Sequence, residues 1–215
     1  MDDKFTLRRG LHNIYAAKVI TDNETSFTTG TPFHLIPGGE LSTSPDSEQA
    51  NYPFDNVIQY SVGREGATEI KITGAGMRPA QIAQITGKDV DETTGAVLDS
   101  GEYNNDNYWA IGAEMDNIDG TSSMFWFMKG TFSLPEESAK TKGEDTDASG
   151  TELTYSAIPT THKFTNGKVH KRTVIDTIST KVKEGSSWFE QVVTPDNIAT
   201  ICEKIVETTN TTVGE

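Results

Sequence analysis

Tyr108-Trp109-Ala110-Ile111-Gly112-Ala113-Glu114-Met115, Asp116-Asn117-Ile118-Asp119-Gly120, Thr121-Ser122-Ser123-Met124-Phe125-Trp126-Phe127-Met128-Lys129-Gly130-Thr131-Phe132-Ser133-Leu134-Pro135: this stretch decides the fold. Two apolar runs flank a short polar segment that ends in Asp119-Gly120, a strong short-range hairpin signal. The second run, Met124 to Met128, is apolar at successive positions, so both faces of that strand need cover. Trp109, Phe125, Trp126 and Phe127 are therefore expected as the core of a central hairpin.

Working outward, the chain reads as mainly β. Asn13 to Ile20 and Thr31 to Ile36 read as strands, the second closed by Pro37-Gly38-Gly39. Residues 40–56 are polar and carry Ser42, Ser44, Pro45, Asp46, Ser47 and Pro53. They read as a long loop, and long loops in compact folds tend to be functional. Val57 to Val62 and Ala67 to Thr73 alternate as half-buried strands do, and Gly63-Arg64-Glu65-Gly66 is read as the turn between them. Arg78 to Gly87 reads as a short helix, with Pro79 in its first turn and Gly87 just past its end. Residues 89–107 read as an acidic loop with a short strand at Ala96-Val97-Leu98.

Beyond the central stretch, residues 136–150 form a second long polar loop. Leu153, Tyr155 and Ala157 alternate in a strand, and Val169 to Ile178 is another. A C-terminal helix is expected over 195–207, because Ile198, Ile201, Cys202 and Ile205 stand at i, i+3, i+4 and i+7. The chain is expected to form one domain over residues 1–215.

Composition narrows the class. The chain has 215 residues and 30 Thr, a β-branched type that favours strands. No apolar run approaches the ~18 residues of a membrane span. Met1-Asp2-Asp3-Lys4-Phe5 lacks the apolar centre of a signal peptide, so synthesis in the cytoplasm without a membrane anchor is expected. The single cysteine, Cys202, excludes an intrachain disulfide within this sequence.

The net charge of −14 is unevenly placed. No Lys or Arg lies between Lys18 and Arg64, or between Lys88 and Lys129, whereas Lys163, Lys168, Lys171, Arg172, Lys181 and Lys183 gather late. The plain reading is a solvated acidic surface. The functional reading is an acidic face opposed to a basic one, with Glu40, Asp46, Glu48 and Asp55 as candidate lining of a channel.

Catalytic and ligand motifs are not found. Asp145-Thr146-Asp147-Ala148-Ser149-Gly150 copies half of a calcium loop, but the twelfth position is Ser156 and no helices flank it. His12, His34, His162 and His170 have no metal-ligand spacing. Gly74-Ala75-Gly76 lacks the context of a nucleotide-binding turn. The expectation is a non-enzyme without cofactor or metal.

Phe125-Trp126-Phe127-Met128-Lys129-Gly130-Thr131-Phe132-Ser133-Leu134-Pro135, followed by Thr141, resembles an aromatic, Lys-Gly, Phe, Leu-Pro, Thr block of the major tail proteins of siphophages, the tail tube proteins of long-tailed phages, here of the type common in phages of Gram-positive bacteria. Gly10-Leu11-His12-Asn13-Ile14-Tyr15-Ala16-Ala17 resembles the opening strand of that family. Tyr52-Pro53-Phe54-Asp55-Asn56 resembles its short aromatic element followed by Asp-Asn. The resemblance spans residues 10 to 160.

It implies a β-sandwich or partly open barrel with one short flanking helix, besides the C-terminal helix expected above. It also implies hexameric rings stacked into the phage tail tube, a conduit for DNA ejection in the virion. The implied partners are further copies of the chain, the tape measure protein, the tail terminator and the distal tail or baseplate proteins. Genome DNA would pass through without specific binding. Leu41, Asp46, Glu48, Tyr52 and Phe54 are then expected to act as an inter-ring assembly loop. The alternative is a non-tube virion β-sandwich, a tail decoration or receptor- or carbohydrate-binding module, with Trp109 and Trp126 as its aromatic platform.

Overall fold

The computed structural model describes residues 5–102, 104, 106–136 and 150–205. The chain first lays down β1 (Arg8–Asp22), β2 (Phe27–Thr29), β3 (Phe33–His34), β4 (Gly38–Phe54) and β5 (Val57–Gly74). Helix α1 (Pro79–Thr86) follows, then a small ladder of β6 (Asp89–Val90) with β7 (Val97–Leu98). Next come β8 (Trp109–Asn117), β9 (Ser122–Phe132), β10 (Thr151–Ala157) and β11 (Arg172–Asp176). A terminal ribbon pairs β12 (Thr180–Val182) with β13 (Cys202–Lys204), which α2 (Ile198–Ile201) precedes.

The main sheet is antiparallel, in the order β2-β1-β8-β9-β10-β5-β4, with β3 added to β1 and β11 to β9. It curls without closing. Gly38, at the start of β4, lies against Ile14 of β1 so tightly that a Cβ there would fall 2.3 Å from Ile14 Cδ1. The expected mainly β fold is present, as an open curled sheet with helices at its margins.

Alternation along β8 and β9 sends side chains to two separate cores. Ile111, Ala113, Phe125, Phe127, Ile70, Ile72, Leu153 and Tyr155 fill the inside of the curl, and Ile85 of α1 joins them. Ala110, Met124 and Trp126 point the other way, against Trp188, Val192, Val193 and Ile201. The segment after residue 160, where the family resemblance ends, is thus the cover over the second face. Trp126 and Phe127 are 0% and 2% exposed, as the double-sided run requires. Trp126 lies flat on Gly112, where a Cβ would sit 2.7 Å from the indole, and donates its Nε1 hydrogen to the Trp188 carbonyl at 3.0 Å.

The central hairpin turns over Ile118 to Thr121, with Gly120 at φ 84° and the Asp119 carboxylate accepting from the Thr121 amide at 3.0 Å. Helix α1 matches its expected span, with Gly87 in the left-handed conformation at its end.

Four expectations are corrected. Residues 40–56 are not a loop: Gly38–Phe54 is a 17-residue strand paired along its length with β5. Gly63-Arg64-Glu65-Gly66 is not a turn, because β5 continues through it, with a bulge at Gly66 and Ala67. The turn is Asp55-Asn56, with φ of 50° and 63°, the left-handed pair that a two-residue hairpin needs and that Asp and Asn tolerate. The strand expected over Thr31 to Ile36 is only the two residues of β3; Leu35 and Ile36 are buried outside it.

The C-terminal helix expected over 195–207 is a single turn, Ile198–Ile201. Asn197 bonds the Thr194 amide at 2.7 Å and the Val192 carbonyl at 3.0 Å, which starts the turn. Cys202 is already extended, at φ −122° and ψ 156°, because the ladder with β12 claims the backbone beyond it. Cys202 is buried, as expected for a small apolar residue. The second polar loop, 136–150, lies outside the described residues except for its two ends, as do residues 206 and 207.

One buried ion pair ties the layers together. Lys129 Nζ lies 2.6 Å from Asp22 Oδ2, with side-chain exposures of 9% and 3%. Asp22 also accepts from the amides of Thr161 and His162 at 2.8 and 2.9 Å. Burial raises the Asp22 carboxyl, but the Lys129 hydrogen bond, the two amides and the ammonium charge outweigh it, so its pKa lies below the ordinary value. A depressed folded-state pKa contributes stability that is present above the unfolded value of ~3.9 and lost as pH falls through the folded one. We expect Asp22→Ala to cost about 3–5 kcal/mol at neutral pH, because it leaves Lys129 buried and unpaired. Urea melts from pH 7 to pH 3 should also show a shallower loss of stability in Asp22→Asn than in the parent. Parallel pH profiles would show that Asp22 is not the linked group.

Candidate assembly surface: the projecting hairpin

The β4–β5 pair starts inside the sheet and leaves it. Near its base Ile70 and Ile72 are fully buried and face the inner core. Farther out, every residue from Ser42 to Glu65 is exposed. A bulge puts Gly66 and Ala67 opposite Asp46, where the ribbon departs from the body. Lys171 fastens that point, bonding Glu65 and the Gly66 carbonyl. At ~3.3 Å per residue, the free part from Ser47 to the turn extends roughly 25 Å.

Register fixes what the arm presents. Ala50 stands opposite Val62, and Tyr52 opposite Tyr60, so these four share one face. Gln49 stands opposite Gly63 and Asn51 opposite Ser61 on the other face, where Gln49 bonds Ser61 at 2.6 Å. The ribbon is therefore amphipathic, with neither face covered. At its end the Phe54 and Tyr60 rings meet edge to face, 5.9 Å apart. Tyr52, Phe54, Val57, Ile58, Tyr60 and Val62 are each 51–63% exposed. An isolated two-stranded ribbon is marginal in water, and large exposed apolar patches are uncommon on monomeric proteins.

Of the five residues expected to form an assembly loop, Asp46, Glu48, Tyr52 and Phe54 lie on this arm, whereas Leu41 packs against the inner core at its base. They belong to a strand rather than a loop. The candidate channel acids Glu40, Asp46, Glu48 and Asp55 are all exposed along the same strand and its turn. Asp55 stands at the extreme tip. Val57, Ile58, Tyr60 and Val62 were missed as arm residues. Their signal was Phe54-Asp55-Asn56-Val57, a turn pair between apolar positions.

Trp109 and Trp126 are 3% and 0% exposed, so neither offers a face to a sugar. The fold does gather one histidine with two acids. His12 Nε2 lies 3.2 Å from Glu114 Oε2, and Nδ1 lies 3.3 Å from Asp116 Oδ2, across the β1–β8 pair. Asn13 and Ser122 also donate to these carboxylates, at 2.9 and 3.1 Å. No described helix is long and apolar enough to cross a membrane. No family model matches this chain, and no curated protein matches it.

Proposed function

We propose that the chain is a structural, non-enzymatic virion protein of the tail tube class, and that copies associate as rings stacked into a tube through which DNA leaves. The observation that carries this reading is the exposed, amphipathic, acidic hairpin arm. Its apolar face gains about 25 cal/mol for each Å² removed from water, which a neighbouring copy can supply. The outer edge of β4 has no partner strand among the described residues, and association of like subunits is one way to cover such an edge. In this reading the tape measure, terminator and baseplate proteins meet the tube rather than the single copy.

The acids of the arm suit a conduit, because a negative wall repels phosphate while a basic one would hold DNA through counterion release. Replacing Glu40, Asp46 and Glu48 by Lys and Asp55 by Asn, which keeps the left-handed turn, should leave the circular dichroism spectrum unchanged, since all four are exposed. Tubes of that variant should retain DNA at low salt and release it at high salt. Equal retention by both proteins would remove these acids from the channel.

The deciding experiment is negative-stain microscopy of the concentrated pure protein. Rings or tubes of uniform width are expected. A protein that stays monomeric at high concentration, and is stabilised by added glycans, would favour the carbohydrate-binding module instead.

A further inference from the structure

Arg172 sits where β11 joins β9, on the inner side of the curled sheet. Its guanidinium lies 4.8 Å from the Phe125 ring centre and 5.2 Å from that of Phe127. Its Nε is buried and has no hydrogen-bond partner. Arg8 of β1 lines the same cavity of about 310 Å³, together with Leu41, Ser42, Thr43 and Met115. Among the described residues neither arginine takes part in an ion pair, although the chain carries 32 acids and 18 Lys and Arg.

The surroundings of Arg172 are costly for a cation. Burial, and then the charge of Arg8, push the Arg172 pKa below the ordinary guanidinium value. A desolvated cation beside a like charge destabilises a fold unless something compensates. The aromatic rings offset part of that cost through their negative faces, but they satisfy no N–H donor. The cavity is lined by donors: two guanidinium forks and the hydroxyls of Ser42 and Thr43. A water occupies ~30 Å³ of liquid volume, so there is room for a small group with several waters.

We propose that this cavity is an oxyanion site, in which Arg8 and Arg172 hold one carboxylate or phosphate group. The planar guanidinium fork suits either, because it donates two parallel hydrogen bonds to two oxygens of one group. The group can come from an acidic side chain of a second copy or from a free anion. The site stands apart from the tail tube reading, because it rests on the cavity alone.

The test uses dilute, unassembled full-length protein and inorganic phosphate as the probe, with ionic strength held constant by chloride. Phosphate should raise the melting temperature of the parent in a saturable way. Arg8→Gln and Arg172→Gln should weaken that response at least tenfold. Arg8 is exposed, so Arg8→Gln keeps the test decisive even where Arg172→Gln fails to fold. A phosphate response indistinguishable from chloride, or an undiminished response in Arg8→Gln, would overturn the site. A second titration on concentrated protein identifies the source. Phosphate that disperses assemblies assigns the seat to a carboxylate of a second copy. Phosphate that stabilises the chain and leaves assembly unchanged assigns it to a free anion.

Discussion

Replacing Glu48–Arg64 by an Asn-Gly turn between Ser47 and Glu65, which face each other in register, should give a folded β-rich protein that no longer assembles. All the residues removed are exposed, so no core contact is lost. Asn-Gly supplies the left-handed pair that closes a two-residue hairpin. The melting temperature of the single chain should therefore stay within a few degrees of the parent, while rings and tubes disappear from the micrographs. A gentler variant, Tyr52→Ser with Tyr60→Ser and Val62→Ser, keeps the arm but removes its apolar face, and should weaken assembly in the same direction. Normal tubes from the shortened protein would defeat the assembly role of the arm. The cut must remove both strands together. Shortening only Ser42 to Gln49 would strip the partner of Ile70 and unpair β5 inside the body.

The second large effect is expected at the two-sided strand β9. Trp126→Ala and Phe127→Ala should each cost about 3–5 kcal/mol, because each empties a fully packed position. For a chain of this size that is a fall of roughly 6–20 °C in melting temperature. The two variants should differ in where the structure loosens. Trp126 holds the C-terminal cover through the Trp188 carbonyl and the Phe189 ring, 6.1 Å away. Its loss should speed amide exchange in residues 183–205. Phe127 lies in the inner core beside Phe125, and its loss should leave exchange in the cover close to that of the parent. Hydrogen-exchange mass spectrometry separates the two cases. Faster exchange of the cover in both variants would mean that the faces are not independent.

The sequence by itself determined the central hairpin, helix α1 and the double-sided burial of Met124 to Met128. In each of these the side chains carry the signal: a Gly turn between apolar runs, a Pro start with a Gly stop, and apolar residues at successive positions. It also placed Tyr52 and Phe54, together with the acids Asp46, Glu48 and Asp55, in one continuous segment. Only the tertiary structure decided that this segment is a strand. Ser, Thr, Gln and Asp at positions 42–51 show no alternation, because both faces of an arm in solvent can be polar. Its extended backbone is held by ladder bonds to β5, not by burial. Val57 to Val62, the opposite half of the arm, does alternate, so periodicity showed one strand of the ribbon and not its partner. Pairing also decided the C-terminus, where a helical stripe from Ile198 to Ile205 gave way at Cys202 to pairing with β12, a competition settled by a strand about 20 residues away in sequence. The cover over Trp126 and the meeting of Arg8 with Arg172 are likewise products of long-range contact. Neither has a local pattern, because each forms only when the sheet curls and brings distant segments to one place.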